Sequence, residues 1–173
     1  MRDGLAEPMN QFPVPSNDPG GRSPTMAELV AAEDAGWDEL HGLLATLTPA
    51  ELERPGYYVE GWSAKDLLAH VGSWLAEAAV VLERIRAGTY RLEEIDIDAM
   101  NALSLEAMKD LPMDLVRAQA AAARTRMLQA WGELPASTPD ADFWIQKAGA
   151  EHYEEHLLRL RVWVAELQAS RSR

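Results

Sequence analysis

Three of the four histidines in this chain of 173 residues could bind one cation together. His152 and His156 are four residues apart in AEHYEEHLLRL, a segment of helical composition. Such residues lie on one helix face with Cβ atoms about 5–6 Å apart, so two imidazoles can converge on one cation. His70 would supply a third imidazole from another helix. We therefore predict that His70, His152 and His156 hold one divalent metal ion.

The chemistry expected of such a site is that of a catalytic metal. Three protein ligands leave a coordination position open for water or substrate. The ion would lower the pKa of a bound water or thiol and polarise a carbonyl oxygen. Imidazole ligands suit several metals, of which we expect zinc or nickel. The alternative is that the histidines are ordinary core residues, although burying an imidazole without a partner costs about 1–3 kcal/mol.

Two carboxylates near these histidines are candidates for supporting roles. Glu155 lies about 60° around the helix from His152 and is a candidate catalytic group for proton transfer, or else a solvated charge. Tyr153 occupies the position of the catalytic Glu in the zinc metalloprotease helix, so that mechanism does not apply. Asp66 stands one turn before His70 and could either orient its second ring nitrogen or cap its helix.

Four amphipathic helices are predicted to position these residues. The first begins at Thr25, the second follows an N-cap at Ser63, and the third has Pro112 in its first turn. A turn-rich linker over 135–142 precedes the fourth, which we expect to run unbroken from about 143 to about 169. Its inner stripe comprises Ile145, Gly149, His152, His156, Leu160, Trp163 and Leu167.

No segment has the pattern of a β-strand, so the fold class is all-α, an antiparallel four-helix bundle. A further helical segment is expected over 96–110. Residues 1–24 are rich in proline and glycine and are predicted to form an extended tail. Residues 25–170 are predicted to form the bundle as one domain.

The composition excludes several classes of function. The formal net charge of −12 disfavours binding to nucleic acid or to an anionic membrane surface. No apolar stretch approaches the roughly 18 residues of a membrane span, and no signal peptide is recognisable. The chain has no cysteine, which removes thiolate ligands and a cysteine nucleophile. We expect a cytoplasmic protein that acts on a small molecule.

The segments GWSAKDLLAHVGSW, residues 61–74, and AEHYEEHLLRL, residues 150–160, together resemble the DinB/YfiT-like superfamily. That superfamily includes the N-terminal domain of mycothiol-dependent maleylpyruvate isomerase and the bacillithiol transferases. The resemblance extends from about residue 26 to 168. It implies a four-helix bundle with a metal site at His70, His152 and His156, a homodimer, and in several members a low-molecular-weight thiol as cosubstrate.

Two functions follow from these observations. The first is a metal-dependent enzyme, with thiol S-transfer to an electrophilic small molecule as the expected reaction, because a metal-bound thiol ionises near neutral pH. The second arises because the segment 61–74 also resembles the DfsB/ClbS-type proteins. That resemblance implies a metal-independent hydrolase or a small-molecule binding module. The late HxxxH pattern favours the first.

Overall fold

The computed structural model describes residues 24–57, 61–92 and 95–171. These residues form helices and include no strand, which confirms the all-α prediction. The helical elements are α1 (Met26–Ala45), α2 (Pro49–Leu52), α3 (Ala64–Arg86), α4 (Ile97–Met108), α5 (Met113–Gly132), α6 (Pro139–Ile145), a π-helical segment (Gln146–Ala150) and α7 (Glu151–Arg171). The four long helices α1, α3, α5 and α7 form the bundle. The predicted tail lies almost wholly outside the described residues.

Local capping signals set the starts of the first and third helices. Thr25 and Glu28 form a reciprocal capping box at α1, which confirms the predicted start of this helix. At α3, the Asp66 carboxylate accepts hydrogen bonds from the Ser63 backbone nitrogen at 2.8 Å and from the Ser63 hydroxyl at 2.7 Å. Asp66 is therefore a capping residue, which settles its two predicted roles in favour of the cap.

Helix α3 is the centre of the bundle and packs most closely against α5. A Cβ placed on Gly72 would lie 3.1 Å from the Cα of Ala120, so the two backbones nearly touch. The run of alanines on α5, Ala120 to Ala123, permits this approach. Along α3 the buried apolar residues are Ala64, Leu67, Leu68, Ala69, Val71, Trp74, Leu75, Ala78, Ala79, Val81 and Leu82.

The last helix differs from the prediction, because it is interrupted. Helix α6 begins at Pro139, inside the expected linker, where Thr138 caps it and the proline occupies the first turn. A π-helical segment then follows, and Gly149 leaves helical geometry with φ −104° and ψ −110°. The spacing of apolar residues continues at three and four through this kink, so periodicity could not reveal it.

Helix α4 lies across the flank of α3 and is the least buried of the longer helices. None of its residues is fully buried. Met100 and Met108 pack against the edge of the core, whereas Leu103 is 72% exposed.

Among the described residues, no helix is long and apolar enough to cross a membrane.

Candidate metal centre

The three histidines singled out in the sequence meet at one point inside the bundle. His70 comes from the second turn of α3, and His152 and His156 come from the first two turns of α7. The Nε2 atom of His152 lies 2.9 Å from Nε2 of His70 and 3.1 Å from Nε2 of His156. Ligand atoms from the three side chains all lie within 4.8 Å of one another. The arrangement could hold a metal ion.

Burial keeps these imidazoles neutral. The exposed fractions are 3% for His70, 2% for His152 and 9% for His156. Loss of solvation lowers the pKa of His70 to about 3, with a smaller contribution from His156, and lowers that of His156 to about 4. The pKa of His152 is also well below its usual value for the same reason. Neutral imidazole is the form that binds metals, so the cluster is ready to do so at neutral pH.

The donor set fits a divalent cation better than it fits a hydrogen-bonded cluster. A neutral imidazole carries one N–H and one lone pair. When three Nε2 atoms face one another, only those that carry a proton can donate a hydrogen bond. The others present their lone pairs to each other. A cation at their common point would satisfy every lone pair at once, leaving each Nδ1 to carry the ring proton.

Two tryptophans on or next to α3 form walls of the site. The ring of Trp62 lies 5.2 Å from that of His70, measured between centroids. The ring of Trp74 stands edge-on to His152 at 6.3 Å. Both indoles therefore border the histidine cluster. They make the surroundings apolar, which strengthens electrostatic interactions within the site.

The loop before α3 is tied directly to α7. The Tyr57 hydroxyl donates a hydrogen bond of 3.0 Å to the backbone oxygen of His156. The backbone oxygen of Trp62 accepts hydrogen bonds from Gly56 at 3.0 Å and from Tyr57 at 2.8 Å. These hydrogen bonds fix both Trp62 and the start of α3 relative to His156.

Asn101 contacts Trp74 at the edge of the site, and no sequence pattern predicted its position there. Its Oδ1 accepts a hydrogen bond of 3.0 Å from Nε1 of Trp74. The same side chain raises the pKa of the His70 imidazole, against the larger effect of burial. A single polar residue on a short, exposed helix carries no periodic signal, and only the packing of α4 on α3 places it here.

Glu33 is a second residue near the site that we did not predict from the sequence. Its carboxylate is fully buried, and Arg124 donates to it from Nη2 at 2.6 Å and from Nε at 3.0 Å. A signal did exist in the sequence, because Glu33 follows Leu29 by four residues and so continues the apolar stripe of α1 towards Leu40. A charged residue on such a stripe indicates a buried ion pair.

Glu155 lies on the exposed side of α7, one residue before His156. Partial burial raises the pKa of its carboxyl, and Glu151 and Glu154 add to this effect while Lys147 opposes it. A raised pKa suits a proton-transfer group. No described contact joins this carboxylate to the three imidazoles, so its catalytic role stays a prediction.

The fold and the buried histidine cluster define an all-α bundle with a candidate three-histidine metal centre. The chain belongs to the family described as "Mycothiol maleylpyruvate isomerase N-terminal domain", which matches residues 34–167. A crystal structure of an uncharacterised protein from Escherichia coli UTI89 is similar in fold, with a TM-score of 0.68 and 16% sequence identity. The similarity covers 82% of this chain and 94% of that one. No curated protein matches the sequence.

Proposed function

We propose that this chain is a divalent-metal-dependent enzyme that transfers a thiol to an electrophilic small molecule. The observation that carries the proposal is the convergence of three buried, neutral imidazoles, with Nε2 atoms 2.9 and 3.1 Å apart. Burying three such groups together costs stability unless a ligand satisfies them. His70, His152 and His156 would be the metal ligands.

The metal, when bound, would ionise a thiol ligand and polarise the substrate near neutral pH. In the reaction the thiol loses its proton and its sulfur forms a bond to an electrophilic carbon. The leaving group departs with the displaced electron pair and takes up a proton. The chain has no cysteine, so the sulfur must come from a cosubstrate.

The protein's own residues would bind and orient the reactants. Trp62 and Trp74 shield the cluster from water on two sides. Tyr57 holds α7 in place through the backbone of His156. The family description pairs this type of domain with mycothiol, a low-molecular-weight thiol, which supports a thiol cosubstrate for this chain.

A second candidate function is a metal-independent hydrolase or small-molecule binding module. It is favoured by a half-open cavity of about 470 Å³ between α3, α4 and α5, which does not include the histidines. Its volume lies within the range of about 300–1,000 Å³ found for small-molecule sites. The polar residues lining it are Ser73, Glu77, Ser104 and Gln119.

Metal analysis distinguishes these functions. Protein purified without a nickel column should contain one zinc or nickel ion per chain by elemental analysis. His156→Ala should lose the metal, because a ligand is removed. His41→Ala is the matched control, since His41 stacks on Trp37 away from the cluster and should keep the metal. Absence of metal from the wild-type protein, even after incubation with zinc or nickel, would leave only the second function.

Activity and assembly need separate measurements. The metal-loaded protein should conjugate low-molecular-weight thiols to members of an electrophile library faster than His156→Ala does. Equal rates for the two proteins would remove the transferase proposal while leaving metal binding intact. The homodimer that the resemblance implies stays a prediction, and light scattering on the purified full-length chain would test it.

A further inference from the structure

We propose that Tyr153 is a positioning residue for the metal centre, which sets the rotation of α7 so that the neighbouring His152 faces His70. This inference rests on the proposed function, because it concerns the same three-histidine site. Tyr153 directly follows His152 in the chain and is 1% exposed, and its side chain packs on α1.

The ring of Tyr153 occupies a notch that a glycine leaves in α1. A Cβ added to Gly36 would lie 2.5 Å from Cδ2 of Tyr153 and 3.0 Å from its Cβ, so only glycine permits this approach. The ring of Trp37, the next residue of α1, lies 6.2 Å from that of Tyr153, measured between centroids. The shape of α1 therefore holds the ring in one place.

The hydroxyl of Tyr153 fixes the direction in which the side chain points. It donates a hydrogen bond of 2.7 Å to Oε1 of Glu33, which lies one turn before Gly36 on α1. Arg124 of α5 donates to the same carboxylate at 2.6 Å and 3.0 Å, so the acceptor is itself held in place. A hydrogen bond to an ionised acceptor is roughly twice as strong as one between neutral groups.

A second close contact joins α1 to the π-helical segment that precedes α7. A Cβ added to Gly149 would lie 2.8 Å from Cγ of Glu33. Gly149 precedes His152 by three residues and Tyr153 follows it by one, so the two contacts with α1 flank His152. Because the chain is held on both sides of His152, its first turn in α7 can neither rotate nor slide freely.

The rotation of α7 decides where the imidazole of His152 points. Successive residues of a helix are turned by about 100°, so when Tyr153 faces α1, His152 faces another side of α7. On that side its Nε2 lies 2.9 Å from Nε2 of His70 on α3. A bond from zinc to imidazole is about 2.0–2.1 Å long, and ligands must be held within about 0.5 Å of their working positions. A small rotation of α7 would therefore remove His152 from the site.

The test compares variants of the full-length chain. Tyr153→Phe keeps the ring against Gly36 and removes only the hydroxyl, and we expect the dissociation constant for zinc, measured by chelator competition, to rise about tenfold. Gly36→Ala displaces the ring and should raise this constant further. Gly42→Ala is the matched control on the same helix, because nothing lies within 4 Å of its added Cβ, and it should bind zinc as wild type does.

Two further measurements separate positioning from a general loss of stability. The absorption spectrum of the cobalt-substituted protein reports ligand geometry, and we expect it to change in Tyr153→Phe. Glu51→Gln removes a buried carboxylate that binds Arg171 at the other end of α7. This variant should lower the melting temperature of the metal-free protein and leave both the zinc affinity and the cobalt spectrum unchanged.

The outcomes also distinguish this inference from the proposed function. If wild type binds zinc and Tyr153→Phe binds it equally well with an unchanged cobalt spectrum, only the role of Tyr153 is wrong. Equal losses of zinc affinity in Tyr153→Phe and Glu51→Gln would also overturn that role, because stability alone would then explain both. If wild type binds neither zinc nor cobalt, the proposed metal-dependent function is wrong, and the role of Tyr153 is wrong with it. Tyr153→Phe carries the test by itself if Gly36→Ala does not fold.

Discussion

The hydroxyl of Tyr153 donates a hydrogen bond of 2.7 Å to the carboxylate of Glu33, although 120 residues separate the two in the chain. Tyr153 directly follows His152, so this bond fastens the first turn of α7 to α1. Burial raises the pKa of Tyr153, which keeps its hydroxyl protonated as a donor. Because Arg124 of α5 binds the same carboxylate, Glu33 joins three helices behind the candidate metal centre.

We predict that Glu33→Gln destabilises the protein strongly. Removing one partner of a buried ion pair typically costs about 3–5 kcal/mol, and we expect about 3 because Arg124 keeps its contact with Asp34 at the surface. Urea unfolding of the metal-free protein would measure the change. The matched control is Glu39→Gln, whose exposed pair with Arg161 should be worth less than about 1 kcal/mol. Similar losses in both variants would contradict the role given to Glu33.

We predict that the metal-free protein loses stability as the pH falls below about 6.5. The folded-state pKa values of His70 and His156, about 3 and about 4, lie below their ordinary value of 6.5, so in this range the unfolded chain binds more protons. Each such ring contributes a slope of up to about 1.4 kcal/mol per pH unit. Chemical unfolding between pH 7 and pH 5 measures how the free energy of unfolding changes with pH. If the slope is unchanged in His70→Gln, His70 does not cause the loss of stability at lower pH.

A second pH effect is predicted at lower pH, from Glu51. Hydrogen bonds from Arg171 and from Thr48 lower the pKa of this carboxyl from 4.5 to about 2. A depressed carboxyl pKa stabilises the folded state above 4.5, and the contribution disappears as the pH falls towards 2. Melting temperatures recorded from pH 5 to pH 2 should therefore decline less steeply in Glu51→Gln than in wild type. Parallel curves would exclude the Arg171 pair as a source of the acid sensitivity.

Two glycine substitutions should have opposite effects on stability. Gly72→Ala would place a Cβ 3.1 Å from the backbone of Ala120, and overpacking of this kind typically costs about 1–3 kcal/mol. At Gly42, in the last turn of α1, no atom lies within 4 Å of an added Cβ, so alanine should stabilise the helix by up to about 0.5–1 kcal/mol. Thermal unfolding of both variants measures the difference. Stabilisation by Gly72→Ala would mean that α3 and α5 are further apart than described.

The proposed role of Glu155 is tested by kinetics. If it transfers a proton, Glu155→Gln should lower turnover about 10²–10⁴-fold and leave the metal content unchanged. Glu154→Gln, at an exposed neighbouring position, is the control and should retain activity. Unchanged turnover in Glu155→Gln would assign its carboxylate to the solvated surface of α7.

The sequence by itself determined the main helical segments, the caps at Thr25 and Ser63, and the pairing of His152 with His156, because each depends on residues close together in the chain. The capping boxes at Thr25 and Ser63 involve residues three apart, and the pairing of His152 with His156 requires only one helical turn. The all-α class followed from the same local periodicity. These features could be predicted since no long-range contact decides them.

Only the tertiary structure decided what lies around the histidines. Asn101 reaches Trp74 because α4 packs on α3, and Glu33 reaches Tyr153 because α1 packs on α7. The kink at Gly149 depends on tertiary contact as well, since a Cβ there would lie 2.8 Å from the side chain of Glu33. Such contacts join residues far apart in the chain, and local periodicity contains no information about them.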